Sequence, residues 1–294
     1  MKSTEDRLPD PRVITPSVLR EWALPKAGDS KYGRGQVVVL GGARRAPGAV
    51  MLAGLASLRV GAGRLTLGVA GSVSTQVAVA VPECGVVELG ETASGSIRGD
   101  SVDVAATDLA SADAVVIGPG LDDPDECVAL LESLPGFVSS EATLLLDAFA
   151  LGVLPRVPAI VDEFADRLIL TPNREEAGRL LDRDLHDDIA DVREVASRYH
   201  AVVSCYGTIA APDGAVWTIG SGNSGLGTSG SGDVLVGSIG GLAARGAKPL
   251  VAASWGTHLH AMSGDRLAAR IAPLGYLASE LLAELPLALR EVES

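Results

Sequence analysis

The sequence is poor in aromatic residues, lysine and cysteine, and these shortages exclude several classes of protein. Aromatic residues make up 3% of the 294 residues, and four lysines occur in a chain whose formal net charge is −13. Nucleic acids and anionic membrane surfaces attract Lys and Arg through their phosphates, so an acidic chain with few lysines suits neither. We therefore expect no nucleic-acid partner and no membrane partner.

Long apolar runs and paired cysteines are also missing. No apolar run reaches the roughly 18–20 residues that cross a bilayer, and residues 1–7 lack the apolar core of a signal peptide. Both absences favour a cytoplasmic protein. The three cysteines, Cys84, Cys127 and Cys205, are far apart and odd in number, which indicates neither a disulfide framework nor a zinc site. We predict reduced, mostly buried thiols and no metal-ligating residues.

The residues that are abundant are aliphatic. Hydrophobic residues account for 47% of the chain and are mostly Ala, Val and Leu, which is typical of buried parallel strands between Ala-rich helices. Composition does not shift along the chain, and no internal repeat occurs. We predict an N-terminal arm over residues 1–30, irregular except for one short helix at 17–24, followed by a single α/β domain over residues 31–294.

Short apolar segments alternate with helical patterns through this domain. A strand at residues 36–40, a helix at 48–60 and a strand at 65–69 form a predicted βαβ unit. Further strands are predicted at residues 114–117, 143–146, 168–170, 201–203, 208–211 and 216–218. Ligands of open α/β sheets bind outside the carboxyl ends of the strands. The residues that follow the strands are therefore candidates for one crevice, although turn chemistry explains each of them equally well alone: Gly41, Gly42, Gly118, Gly120, Asp147 and Asn173.

The most informative segment is Gly227-Thr228-Ser229-Gly230-Ser231-Gly232-Asp233, which precedes a helical pattern at residues 234–246. Glycines let backbone N–H groups approach a ligand, and the first N–H groups of a helix lack internal partners and carry partial positive charge. This combination predicts a phosphate pocket. The alternative is an ordinary loop with Asp233 as the helix N-cap.

Two common nucleotide motifs are missing. The chain contains no Gly-Lys dipeptide and hence no mononucleotide P-loop, and the residues after the first strand do not match Gly-x-Gly-x-x-Gly. A carboxylate at a helix-terminal anion site suits phosphoryl transfer to an alcohol, in which Asp233 accepts the hydroxyl proton and Mg²⁺ shares the phosphate charge.

Several motifs, in the same order along the chain, resemble those of the ribokinase-like ADP/ATP-dependent NAD(P)H-hydrate dehydratases. The likeness covers about residues 30–290. It is carried by Lys31-Tyr32-Gly33-Arg34-Gly35, Val38-Val39-Leu40-Gly41-Gly42, Pro47-Gly48-Ala49, Ile117-Gly118-Pro119-Gly120-Leu121, Leu146-Asp147-Ala148, Leu170-Thr171-Pro172, Asn223-Ser224-Gly225, Gly230-Ser231-Gly232-Asp233 and Leu259-His260-Ala261-x-x-Gly264-Asp265.

The resemblance implies a fold, a reaction and a set of site residues. The fold is one ribokinase-like domain with a central, mostly parallel sheet flanked by helices on both faces. In the family, nicotinamide nucleotides that have wrongly added water are phosphorylated on the hydroxyl by ADP or ATP and then lose phosphate, which regenerates NADH or NADPH. The implied roles are the base for Asp233, a nucleotide and phosphate cradle for Thr228, Gly230, Ser231 and Gly232, and contacts with the hydrate for Ala49, Gly120, Asn173 and Asp233. Mg²⁺ is the implied cofactor, and family members often form homotetramers.

The chain departs from the family pattern at three places. Asn173 stands where the family commonly has a His that contacts the substrate. Residues 202–208 contain no lysine where the family usually has one that contacts the nucleotide, and Phe149 replaces an acidic residue. Two other functions therefore stay open: a kinase of the same architecture for a small alcohol or vitamin precursor, and a nucleotide-binding protein without catalysis. The sequence leaves both ADP and ATP as donors.

Overall fold

The central element is a ten-stranded sheet in the order β1-β10-β9-β8-β7-β6-β5-β2-β3-β4. The computed structural model describes residues 10–26 and 28–294. The strands are Arg12–Ile14 (β1), Gln36–Leu40 (β2), Arg64–Ala70 (β3), Gly85–Leu89 (β4), Ala114–Ile117 (β5), Thr143–Leu146 (β6), Leu168–Leu170 (β7), Val202–Cys205 (β8), Thr208–Ala210 (β9) and Val216–Ile219 (β10). Every neighbouring pair is parallel except those of β9, which runs antiparallel to both β8 and β10.

Helices cover both faces of the sheet. They are Pro16–Glu21 (α1), Pro47–Arg59 (α2), Ser74–Ala80 (α3), Ala106–Ala110 (α4), Pro124–Ser133 (α5), Phe149–Val153 (α6), Pro158–Glu163 (α7), Arg174–Leu181 (α8), Asp188–Arg198 (α9), Ser231–Ala244 (α10), Pro249–Arg270 (α11) and Ala278–Glu293 (α12). The core under α2, α10, α11 and α12 includes Val37 and Val39, whereas the core under α5 to α9 includes Val38 and Leu40. Successive side chains of a strand point to opposite faces, so a continuous apolar strand such as β2 supplies both cores. The predicted fold class is confirmed.

Helices α2 and α10 approach each other closely along glycines. A Cβ on Gly237 would lie 2.0 Å from the backbone oxygen of Ala53, and a Cβ on Gly241 would lie 2.5 Å from that of Ser57. Because only glycine permits this approach, the glycines of α10 bring its first turn beside the first turn of α2.

The strand order reverses between β2 and β5. From β2 the chain continues outward through β3 and β4, whereas β5 begins a run through β6, β7 and β8 on the other side. A reversal of this kind leaves a crevice at the carboxyl ends of the two central strands. Gly41-Gly42 follow β2 and Gly118 to Gly120 follow β5, so both segments lie at the crevice.

The N-terminal segment contributes a strand that the sequence pattern did not indicate. Arg12–Ile14 pairs in parallel with β10 at the sheet edge. Helix α1 begins one residue before the short helix predicted at 17–24 and ends three residues before its end. The indole Nε1 of Trp255 donates to the backbone oxygen of Trp22 at 2.9 Å, which ties the segment after α1 to α11. The remaining parts of the predicted arm, residues 1–9 and Ala27, lie outside the described residues.

All three cysteines are free thiols; Cys127 and Cys205 are buried, and Cys84 is partly exposed. Within residues 10–26 and 28–294, no helix combines the length and the apolarity needed to span a membrane.

Candidate active site

The loops at the carboxyl ends of β2, β5 and β6 are packed directly against one another. The Gly42 amide donates to the Pro119 backbone oxygen at 2.9 Å, and the Ala43 amide donates to that of Gly120 at 2.9 Å. A Cβ on Gly118 would lie 1.8 Å from the backbone oxygen of Asp147. These glycines and Asp147 therefore lie together at one edge of the sheet; that they form one ligand crevice stays a prediction.

Helix α10 has two unpaired amides in its first turn. Gly230 is the N-cap with φ +88°, and no side chain caps the helix. The amide of Ser231 donates to the Thr228 backbone oxygen at 3.2 Å, whereas the amides of Gly232 and Asp233 have no partner among the described residues. The helix therefore begins three residues earlier than predicted, and Asp233 lies in its first turn without serving as the N-cap. The alternative that treated Asp233 as an ordinary cap is wrong, and the free amides are suited to an anion.

The two glycines of this turn serve different needs. Gly230 adopts a positive φ that L-residues rarely adopt, and a Cβ there would lie 2.6 Å from Leu52 Cδ1. A Cβ on Gly232 would meet no protein atom within 4 Å. The fold therefore requires glycine at position 230, while the space beside Gly232 is free for a ligand.

Burial raises the pKa of two carboxyl groups at this edge. It raises the pKa of Asp233 to about 6. Burial, with smaller contributions from the charges of Glu176 and Asp233, raises the pKa of Asp147 to about 8 although Asp147 Oδ1 accepts a 2.7 Å hydrogen bond from Thr171 Oγ1. A pKa of about 6 leaves Asp233 mainly ionised at neutral pH yet basic enough to take a proton.

A cleft of about 680 Å³ opens beside the first turn of α10; we call it the α10 cleft. Four residues predicted to bind nucleotide or hydrate line it: Asn173, Thr228, Ser231 and Gly232. Its other walls are the β8–β9 turn with Tyr206 and Gly207, the segment from Ser221 to Gly227, and the face of α11 that carries Thr257, His260 and Ala261. The volume falls in the range of small-ligand sites.

A second pocket of about 490 Å³ lies beside α6; we call it the α6 pocket. Gly120 lines it, as do Ala148, Phe149 and Glu176. Ala49 lies in the first turn of α2 and lines neither space. Asp233 also lines neither space. The four predicted hydrate residues therefore lie along one edge of the sheet but do not line one common pocket.

Helix α11 holds the wall of the α10 cleft in place. His260 Nε2 and Ser231 Oγ are hydrogen-bonded at 2.9 Å, and burial lowers the pKa of His260 to about 4, so the ring is neutral. Asp265 accepts hydrogen bonds from the Gly222 amide at 2.9 Å and from Asn223 Nδ2 at 3.0 Å. The sequence placed His260 and Asp265 in a motif but assigned them no contact.

The comparisons with known proteins identify the family. Residues 37–287 match the family model described as NAD(P)H-hydrate dehydratase. A curated relative from Xanthomonas campestris pv. campestris, named ADP-dependent (S)-NAD(P)H-hydrate dehydratase, is 42% identical over 95% of this chain and 96% of that protein. The chain belongs to the NAD(P)H-hydrate dehydratase family.

Solved structures place the same family in a ribokinase-like fold. An ADP/ATP-dependent NAD(P)H-hydrate dehydratase from Bacillus subtilis, co-crystallised with ATP and Mg²⁺, is 26% identical with a TM-score of 0.79 and covers 97% of this chain and 99% of its own. A ribokinase-like superfamily protein from Enterococcus faecalis has a TM-score of 0.79 at 22% identity over 96% of this chain and 97% of its own, and shows the fold alone.

In this member of the dehydratase family, the positions that depart from the pattern have uncharged side chains. Ser204 faces the α10 cleft and bonds to Thr257 Oγ1 at 2.7 Å, while Cys205 is buried on the other face of the sheet. No Lys or Arg occurs among the described residues that line the cleft. Phe149 lines the α6 pocket and is packed against the core.

Asn173 is the N-cap of helix α8 in this member of the dehydratase family. Its Oδ1 accepts from the Glu176 amide at 2.9 Å, and Glu176 Oε2 accepts from the Asn173 amide at 2.8 Å, which forms a capping box at the start of α8. The Nδ2 group has no partner among the described residues, so it is free to donate to a ligand.

Proposed function

We propose that this protein dehydrates (S)-NADHX and (S)-NADPHX, the hydrated forms of NADH and NADPH, and thereby repairs damaged cofactor. ADP is the proposed phosphate donor, because the relative with 42% identity is named ADP-dependent; ATP is the alternative donor. The observation that carries the proposal is Asp233, an acid of raised pKa in the first turn of an uncapped helix whose amides are free.

In this proposal the α10 cleft binds the nucleotide. The free amides of Gly232 and Asp233 bind oxygens of the terminal phosphate, with Thr228 and Ser231 beside them. The helix dipole and the amides stabilise negative charge that develops on the transferred group. Gly230 supplies the backbone conformation that exposes them.

Asp233 is the proposed general base. Its ionised carboxylate accepts the proton of the hydrate hydroxyl while the hydroxyl oxygen bonds to the terminal phosphorus of ADP and AMP leaves. The phosphorylated hydrate then loses phosphate from one ring carbon and a proton from the neighbouring carbon, which forms the ring C=C bond and releases inorganic phosphate and NADH or NADPH. Ala49, Gly120 and the free Nδ2 of Asn173 are the proposed contacts that orient the hydrate.

Mg²⁺ is the proposed cofactor, and the residues fit an ion that arrives with the nucleotide. The described residues contain no group of three or more His, Cys, Asp or Glu side chains arranged to hold a metal. Mg²⁺ is commonly held by one or two carboxylates plus substrate phosphates, and Asp147 is the carboxyl group near both Glu176 and Asp233, whose charges help to raise its pKa. When bound, the ion would neutralise phosphate charge, which matters more in a cleft without Lys or Arg.

We further propose a cytoplasmic homotetramer. Leu274 and Leu277 are 66% and 61% exposed beside the start of α12, and adjacent apolar side chains at a surface favour association with another subunit. Light scattering coupled to size exclusion measures the mass: four times 30.0 kDa supports the tetramer, and a monomer mass contradicts it.

The test of the proposed function is a repair assay. The protein is incubated with purified NADHX, Mg²⁺ and either ADP or ATP, while absorbance of the dihydronicotinamide ring and release of phosphate are followed. The proposal predicts recovery of NADH with one phosphate released per NADH. A stable phosphorylated product with other alcohols would favour the kinase alternative, and nucleotide binding without turnover would favour the non-catalytic one.

A further inference from the structure

Tyr206 places an aromatic ring at the edge of the α10 cleft. Its side chain is 72% exposed, and it lies in the two-residue turn between β8 and β9. Its φ of +47° is in the left-handed region, which a bulky residue rarely adopts. An exposed aromatic ring on a residue whose φ is rare for a bulky side chain indicates a ligand contact more than a packing role.

Arg174 holds this ring from one side. The guanidinium carbon of Arg174 lies 5.5 Å from the centroid of the Tyr206 ring, and Arg174 forms an ion pair with Asp188. No other ring or cation among the described residues stacks on Tyr206. One face of the ring is therefore supported and the other is available for a flat partner.

An unpaired polar atom lies beside the same end of the cleft. The Ser221 hydroxyl lines the α10 cleft, is buried and has no hydrogen-bond partner among the described residues. The Ile219 amide donates to the Gly207 backbone oxygen at 2.8 Å, which holds the Tyr206 turn beside the chain that leads to Ser221. A buried hydroxyl without a partner is costly, and a bound ligand removes that cost.

We propose that Tyr206 is the platform on which the purine base of the nucleotide stacks, with the Ser221 hydroxyl bonding to a polar edge of the same nucleoside. This inference rests on the proposed function, because the free amides near Gly232 then bind the phosphates of the same molecule. No Lys or Arg among the described residues lines the cleft, so stacking supplies nucleotide affinity that no cationic side chain provides there. A purine base stacks on an aromatic ring through its π-face, so this contact needs no charged side chain.

Calorimetric titration of the full chain in Mg²⁺ buffer, without hydrate, tests the platform. The ligands are ADP, AMP and inorganic pyrophosphate. Tyr206→Ala is expected to weaken ADP and AMP binding by about tenfold, as loss of one base–aromatic stack does, and to leave pyrophosphate binding unchanged. Tyr206→Trp keeps the stack and should retain ADP affinity, and Ser221→Ala should weaken ADP but not pyrophosphate.

Two further variants distinguish a loss of base stacking from a defect in folding as the cause of weaker ADP binding. Tyr206→Gly suits the positive φ and should fold at least as well as the parent while losing ADP affinity like Tyr206→Ala. Tyr32→Ala is the matched control, because Tyr32 is a 68% exposed tyrosine with Lys31 and Arg64 beside its ring and does not line the cleft; it should bind ADP normally. In steady state, Tyr206→Ala should raise KM for ADP and leave kcat and KM for the hydrate nearly unchanged.

Equal ADP affinity in the parent, Tyr206→Ala and Tyr206→Gly would overturn the platform, as would an equal loss of pyrophosphate binding. These results differ from failure of the proposed function. If the parent protein binds no ADP or ATP, the function itself fails; if it repairs NADHX with ADP while Tyr206→Ala binds ADP equally well, only the platform fails.

Discussion

His260 and Ser231 join the long helix α11 to the first turn of α10 through a buried hydrogen bond of 2.9 Å between Nε2 and Oγ. Ser231 is the first residue of α10 and lines the α10 cleft, so this bond positions the turn that carries Gly232 and Asp233. Since burial lowers the pKa of His260 to about 4, the imidazole positions this turn as a neutral partner and is not the base.

His260→Leu should leave the buried Ser231 hydroxyl unpaired. We expect the free energy of unfolding to fall by about 1–3 kcal/mol, the usual cost of a buried unsatisfied group, and KM for ADP to rise. His260→Gln, whose amide can still bond to Ser231, should recover most of both. Denaturant unfolding and initial rates measure the two effects, and identical behaviour of the two variants would contradict a positioning role.

Gly232→Ala and Gly237→Ala should fail in different ways. A methyl group at position 232 meets no protein atom within 4 Å, whereas at position 237 it would lie 2.0 Å from the Ala53 backbone oxygen. Gly232→Ala should therefore keep its melting temperature and lose nucleotide affinity, and Gly237→Ala should lose stability by about 1–3 kcal/mol or more, as overpacking does. A Gly232→Ala protein that binds ADP normally would show that the phosphates lie elsewhere.

The free energy of unfolding should depend on pH because Asp147 titrates with a different pKa in the folded and unfolded states. Its pKa is raised from 3.8 to about 8 in the folded protein, so the folded state binds the proton more tightly and the free energy of unfolding falls as pH rises from about 4 to about 8. Asp233 contributes in the same direction between 3.8 and about 6, and His260, with its lowered pKa, in the opposite one.

Comparison with Asp147→Asn isolates the contribution of that carboxyl group. The amide keeps an oxygen acceptor for Thr171 but does not titrate, so the variant should be more stable than the parent above about pH 7, by on the order of a few kcal/mol, and similar near pH 4. Urea unfolding across this range provides the test. Parallel pH curves for the two proteins would mean that Asp147 ionises normally.

Asp265→Ala should loosen the segment that closes the α10 cleft. The variant loses the acceptors for the Gly222 amide and for Asn223 Nδ2. We expect ADP binding to weaken several-fold, with a loss of about 1–3 kcal/mol in the free energy of unfolding from the two unpaired donors. Asp265→Asn, which keeps one acceptor, should be intermediate, and an Asp265→Ala protein with normal ADP affinity would exclude this segment from nucleotide binding.

Much of the fold could be predicted because its strands are buried on both faces. β2, β5, β6 and β7 are continuous apolar runs that end at glycine or polar residues, and a pattern of that kind is visible in one sequence. β1 and β4 were not predicted, since β1 is a three-residue edge strand and β4 is only partly buried. Such strands depend on pairing with β10 and β3 more than on their own pattern.

Part of the candidate site could be predicted because some of its residues are neighbours in the sequence. The glycines before α10 and Asp233 stand together in the chain, so local sequence was enough to single them out. Thr257, His260 and Ala261 reach the α10 cleft from a distant helix, and their signal was the spacing of two polar residues at i and i+3 within a largely apolar helix. The exposure of Tyr206 depends on the β8–β9 turn, which the local pattern alone did not reveal.

The rate of NADHX repair by Asp233→Asn, measured at saturating ADP and Mg²⁺ across about pH 5–8, tests the central claim most directly. The parent rate should rise with ionisation of Asp233 near its pKa of about 6 and level off above it. Asp233→Asn should fold with equal or greater stability, bind ADP, and turn over about 10²–10⁴ times more slowly, as loss of a general base does. A folded Asp233→Asn protein with the parent rate would contradict the account.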